Sequence, residues 1–162
     1  MRFRAEHRIH GSPAAVAALL VNADFYLHLA LPDLSLPRVV EAKAEGDESG
    51  LRLRYEFVGS LDPIAQRLLG SSRLAWIQEV RVDESAGTGV LRFEAEKDPK
   101  RLHGSADFVL TEEGDSTLRR IDGELVVAVP GIGRMAERKI VPGLLRRMDI
   151  ESQALDDELG RA

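Results

Sequence analysis

The residues able to carry chemistry are few and scattered. The sequence holds four histidines and no cysteine, so thiolate nucleophiles, thiolate metal centres and disulfides are excluded. His7 and His10 have the H-x-x-H look of metal ligands, yet three residues apart on a strand they fall on opposite faces and cannot readily share an ion. His28 and His103 stand alone, so no metal site is expected. GIGRMA at 131–136 has the G-x-G-x-x-A form of a dinucleotide site, which also needs a second parallel strand after its helix. No such strand follows, and Pro130 argues against a βαβ unit. The glycines are expected instead to turn the chain sharply and let a helix approach a sheet closely. With no G-x-S-x-G elbow and no P-loop either, no cofactor is expected. Asp156, Asp157 and Glu158, like Arg146 and Arg147 with Asp149 and Glu151 just after them, read as a solvated helix face.

Three polar side chains remain as handles for a small molecule. His7 shares its strand face with Phe3, Ala5 and Ile9, Gln78 alternates with Trp76, Val80 and Val82, and Tyr55 sits between Leu53 and Phe57. Each is expected to point inward and to need a hydrogen-bond partner, whether protein, water or ligand. Phe57, Trp76, Phe93 and Phe108 also fall on inward faces, where aromatics total only 5% of the chain. Small inward residues at Ala95, Gly104 and Ala106 are expected to leave room beneath the sheet.

The elements that position these groups follow from periodicity. Residues 2–10 alternate charged and apolar side chains, as a half-buried strand does. Gly11 breaks the strand, and Ser12-Pro13 opens a short helix over AAVAALLV. A second short helix over 23–30 stops at Leu31-Pro32. Strands are then predicted at about 36–46, 50–59, 73–84, 88–98, 101–112 and 116–129, joined by turn-rich loops such as GDESG and EEGDS. LDPIAQRLLG spaces Leu61, Ile64 and Leu68 at helical intervals and predicts a short amphipathic helix between the third and fourth strands, placed to act as a lid. From about 134 to 159 runs a long helix whose stripe of Leu144, Leu145, Met148, Leu155 and Leu159 must lie on the sheet's apolar face. Pro142-Gly143 inside it predicts a kink or local break, as a bend or as a hinge.

Composition narrows the class. A chain of 162 residues with 44% hydrophobic content fits one domain over 1–162. The longest apolar run, 14–21, is too short to span a membrane, and the first ten residues lack the apolar stretch of a signal peptide. With no cysteine, a reduced, cytoplasmic setting is expected. The net charge of −5 and pI near 5.4 count against a nucleic-acid partner.

This order of elements, with Ser12-Pro13 opening the first helix, Asp62-Pro63 in the lid segment, Trp76 in the fourth strand and GIGRMAERKIVPGLLRRM at the last helix, resembles the START-like (SRPBCC) superfamily and, within it, an uncharacterised bacterial group. The resemblance implies an α+β helix-grip fold: a curved seven-stranded antiparallel sheet wrapped around a long C-terminal helix, with two short helices after the first strand. It also implies a cavity for an apolar or amphipathic, lipid-like ligand. His7, Tyr55, Phe57, Trp76, Gln78, Phe93, Phe108, Leu144 and Met148 are the expected lining. Three readings stay open: a noncatalytic carrier, a cyclase or dehydratase using His7 and Tyr55 for acid–base chemistry, and a regulatory module with an exposed apolar patch.

Overall fold

The alternation in LRLRYE is realised as a strand with two unlike faces. Leu51, Leu53 and Tyr55 are buried, while Arg52 pairs with Glu79 and Arg54 with Glu56 and Glu96 on the other face. The computed structural model describes residues 1–69 and 73–161, without the side chains at 65, 68 and 69, so the lid role expected of Leu68 lies outside the described residues. Its elements are β1 (Arg2–His10), α1 (Pro13–Leu20), α2 (Ala23–Leu27), β2 (Arg38–Glu45), β3 (Glu48–Glu56), α3 (Pro63–Leu69), β4 (Ala75–Asp83), β5 (Thr88–Ala95), β6 (Leu102–Glu113), β7 (Ser116–Val127) and α4 (Gly133–Gly160).

The strands form one seven-stranded antiparallel sheet in the order β1-β7-β6-β5-β4-β3-β2. Consecutive strands from β2 to β7 pair through short turns, and β1 adds beyond β7 in a register that sets His7 opposite Arg119. This α+β architecture is the helix-grip fold. Ser12 caps α1 by accepting from the Ala15 N–H at 3.2 Å, and Asn22 caps α2 in the same way.

Helix α4 packs on β1, β7 and α1. Its start depends on two glycines. Gly131 turns the chain at φ 82°, a conformation that other residues adopt at a cost. A Cβ on Gly133 would lie 2.3 Å from the Val127 carbonyl oxygen, so only glycine lets the helix leave the sheet this closely. One turn on, Glu137 accepts from the Val127 N–H at 3.1 Å and from the N-terminal ammonium at 3.3 Å. Near the far end, Asp156 accepts from the His10 N–H at 2.7 Å and lies 3.1 Å from its ring. It is therefore a tether rather than part of the solvated face read from sequence. Those backbone hydrogen bonds hold both carboxyls below their usual range.

The local break expected at Pro142-Gly143 is absent, since α4 runs unbroken from Gly133 to Gly160. Pro142 is exposed, so solvent can serve the Arg138 carbonyl that loses its donor. Gly143 faces open space, with nothing within 4 Å of where a Cβ would stand.

The two helix glycines therefore respond oppositely to one methyl. Gly133→Ala should destabilise by about 1–3 kcal/mol, as forced overpacking does. Gly143→Ala should be neutral or stabilising by about 0.5–1 kcal/mol, through helix propensity and unfolded-state entropy. Urea unfolding midpoints of the two variants against the parent check both signs.

Candidate functional site

Because α4 rests on the β1–β7 end of the sheet, the strands beyond curve away from it, and a cavity of about 330 Å³ opens between them. The sheet contributes Phe57, Trp76, Gln78, Leu91, Phe93 and Leu125. The helix contributes Ile140, Gly143, Leu144, Arg147, Met148 and Glu151. Leu31, Leu34, Leu61, Asp62 and Ile64 close the side away from α4's C-terminal half. Lys139 Nζ meets Asp62 Oδ2 at 2.8 Å and so ties α4 to the chain just before α3.

Among the residues expected from sequence, Phe57, Trp76, Gln78, Phe93, Leu144 and Met148 line this cavity. His7, Tyr55 and Phe108 do not. His7 points inward as expected but meets α4, its Nε2 lying 2.8 Å from Asp149 Oδ1, because β1 is a strand that the helix covers. Tyr55 lies behind the indole of Trp76, stacked on it at 5.9 Å with 23° between the planes, and packs with Tyr26, Leu51 and Leu53. The Phe108 ring fills the place of a missing side chain, since a Cβ on Gly89 would come within 2.1 Å of its Cζ. The small inward residues divide likewise. Ala95 lines the cavity, whereas Ala106 is core and the room at Gly104 is taken by the Phe93 ring. His7 and Tyr55 are thus not gathered as an acid–base pair on the cavity.

The strongest polar group beneath α4 is one that sequence reasoning missed. Arg119 is 1% exposed. Its Nη1 donates to Glu151 Oε1 at 2.7 Å and its Nη2 to Ser152 Oγ at 3.0 Å, while its Nε has no partner among the described residues. The Tyr26 hydroxyl donates to the other Glu151 oxygen at 3.4 Å. Burial first, then the Glu151 charge, pushes the Tyr26 phenol well above its ordinary value. The same two causes raise Tyr55, so both stay neutral hydroxyls at physiological pH. Glu151 reaches the cavity already held by a cation and a hydroxyl, which suits it to fix structure.

Arg147 was also misread. Arg146 is solvated, but Arg147 is half-buried with its guanidinium 5.6 Å from the centroid of the Trp76 ring. Burial disfavours its charge, and the Asp33 carboxylate partly offsets that. A signal existed for both arginines. Arg119 is two residues before the inward Ile121 and shares its strand face, and Arg147 and Glu151 fall three and seven residues after Leu144, on the helix's apolar stripe. The charge of Arg147 and Glu151 had placed them on a solvated face, and Arg119 had not been singled out.

No group of His, Cys, Asp and Glu among the described residues could hold a metal, and no helix among them is long and apolar enough to cross a membrane.

Known proteins share this architecture. The family model described as "Protein of unknown function (DUF2505)" matches residues 4–158. Protein TTHA0849 of Thermus thermophilus superposes with a TM-score of 0.68 at 16% identity, over 98% of this chain and 97% of that one. The Zhui aromatase/cyclase of Streptomyces sp. R1128 gives 0.67 at 13%, over 99% and 94%. A START superfamily protein of Mycobacterium smegmatis gives 0.59 at 14%, over 99% and 97%. Identities this low establish the fold alone, the helix-grip fold that these proteins share. No curated protein sequence matches it.

The buried pair makes a test of what seats α4. Arg119→Met should cost about 3–5 kcal/mol, because Glu151 is left half-buried without its cation. Adding Glu151→Leu should recover most of that loss, since a well-packed apolar pair can replace a buried ion pair. A double-mutant cycle by urea unfolding reads the coupling, and a double variant no more stable than Arg119→Met would show that the two residues do not act together.

Proposed function

The chain belongs to the DUF2505 family, and we propose that it binds or carries a small hydrophobic or amphipathic, lipid-like molecule in the cavity between the sheet and α4, with 1–162 acting as one binding unit. The observation that carries this reading is the cavity itself. Its volume of about 330 Å³ lies at the lower end of the roughly 300–1,000 Å³ typical of small-molecule sites. Its exposed wall is mainly apolar, built largely of Leu, Phe, Trp, Met and Ile side chains with polar groups set among them, as in many small-molecule sites. The START-like fold supports the reading at the level of architecture.

The likeness to aromatase/cyclases favours a second reading, an enzyme of cyclase type on a polyketide-like substrate. It has less support in the residues. General acid–base catalysis needs a donor and an acceptor within hydrogen-bond reach of one substrate position. Glu151 is already engaged by Arg119 and Tyr26, and His103, at the rim, is exposed with its Nδ1 3.1 Å from the Pro99 carbonyl.

Nile red, a neutral environment-sensitive dye, should bind the parent protein saturably with enhanced emission. Gly143→Phe projects a ring into the open space beside α4 and should weaken that binding on the order of tenfold or more, since overpacking an occupied site typically costs about 1–3 kcal/mol. The variant should keep the parent's unfolding midpoint. A titration of lipid-free protein with no saturable signal, or equal affinity in the filled variant, would count against the cavity as the binding site.

A further inference from the structure

We propose that the ligand carries a single carboxylate head, which the Arg147 guanidinium receives over the face of Trp76 while the apolar body lies among Phe57, Phe93, Leu144 and Met148. The inference rests on the cavity being a ligand site and names the class of molecule it selects.

The charges around the cavity divide by whether they are already served. Glu151 is held by Arg119 and Lys139 by Asp62. Asp33, Glu94 and Arg146 are exposed at the rim. Arg147 differs from all of these, being half-buried in the lining with no side-chain hydrogen bond or ion pair to any described residue. Its contact is with the Trp76 ring, which attracts the cation through its face and leaves the in-plane N–H donors unserved. The Asp33 charge acts on it only from beyond ion-pair range. Arginine cannot shed its proton to escape such a site, so an arriving anion would replace the hydration that burial removes. A guanidinium edge matches the two oxygens of a carboxylate in a paired hydrogen bond. One such edge suits a monoanion, since the other unpaired cation of the lining, Arg146, is exposed at the rim. Gln78, whose side chain also makes no hydrogen bond to a described residue, supplies a polar neighbour on the strand face that carries Trp76. Apart from the paired and rim polar groups the walls are apolar, and the complement is an apolar body ending in a carboxylate.

Trp76 is the chain's only tryptophan, so its emission reports occupancy without a label. Decanoate and 1-decanol share an apolar body and differ in the head. At neutral pH the parent should bind decanoate at least about tenfold more tightly than decanol, the scale of a charge-assisted hydrogen-bond pair. In Arg147→Met the ratio should fall to about one with decanol still bound, and in Arg147→Lys it should lie between, since an ammonium keeps the charge but loses the fork. A parent that binds both probes equally, or an Arg147→Met protein that keeps the decanoate preference, overturns the proposal while leaving the cavity reading intact. A parent that binds neither these probes nor Nile red overturns both. The parent's ratio decides the matter even where a variant fails to fold.

Discussion

The seating of α4 depends on a charge that cannot be neutralised. Arg119 is enclosed between β7 and the helix, and a buried guanidinium is tolerable only where carboxylate and hydroxyl groups replace its water. Glu151 and Ser152 are those groups, adjacent on one turn of α4. Satisfying both oxygens fixes how far the helix is rotated and how far it has slid along the sheet. The other polar contacts fall into line with that setting: Glu137 on the end of β7, Asp149 on His7 and Asp156 on His10. All of them lie toward β1 and β7. The helix is therefore held by most of its polar contacts along one margin, with Lys139–Asp62 the tie on the other side, and its opposite flank, bearing Leu144, Arg147 and Met148, faces strands that it does not touch closely. The cavity is a consequence of that one-sided grip.

How much of this was legible in the sequence depends on what each residue type announces. The alternation in Arg2–His10 and in LRLRYEFV stated which side chains face inward, and the turn-rich loops between strands stated antiparallel pairing. Inward is nevertheless a coarser word than lining. The inner face of this sheet has three kinds of neighbour: α4 over β1 and β7, packed core that includes Phe108, Val80 and Val82, and the cavity at Trp76, Gln78 and Phe93. His7 faces the first, Phe108 the second, Trp76 and Gln78 the third, and period-two alternation is identical for all of them. Which neighbour covers a strand is decided by strand order and helix seating, and those are long-range facts.

The arginines illustrate a different limit. Arg119 and Arg147 stand at positions that the strand and helix periods place inward, yet their charge argues for the surface, and a strand or helix read alone offers no means of weighing period against charge. Partners settle it, and the partners of Arg119 lie about thirty residues away on α4. Gly104 failed for a related reason. A missing side chain on an inward face reads as room, but close packing gives that room to whichever neighbour can reach it, and here the Phe93 ring does.

The account's central claim is that the space flanked by Trp76, Gln78 and Arg147 is where the ligand lies. A heteronuclear NMR titration of the labelled protein with decanoate tests it most directly, because the Trp76 indole N–H, the Gln78 side-chain amide and the Arg147 guanidinium each give their own signal. The account predicts saturable shifts at these three groups and at the amides of Phe93 and Leu144, with the exposed β2 edge unmoved. Shifts confined to the outer surface, or none at the three cavity groups while decanoate is demonstrably bound, would contradict it.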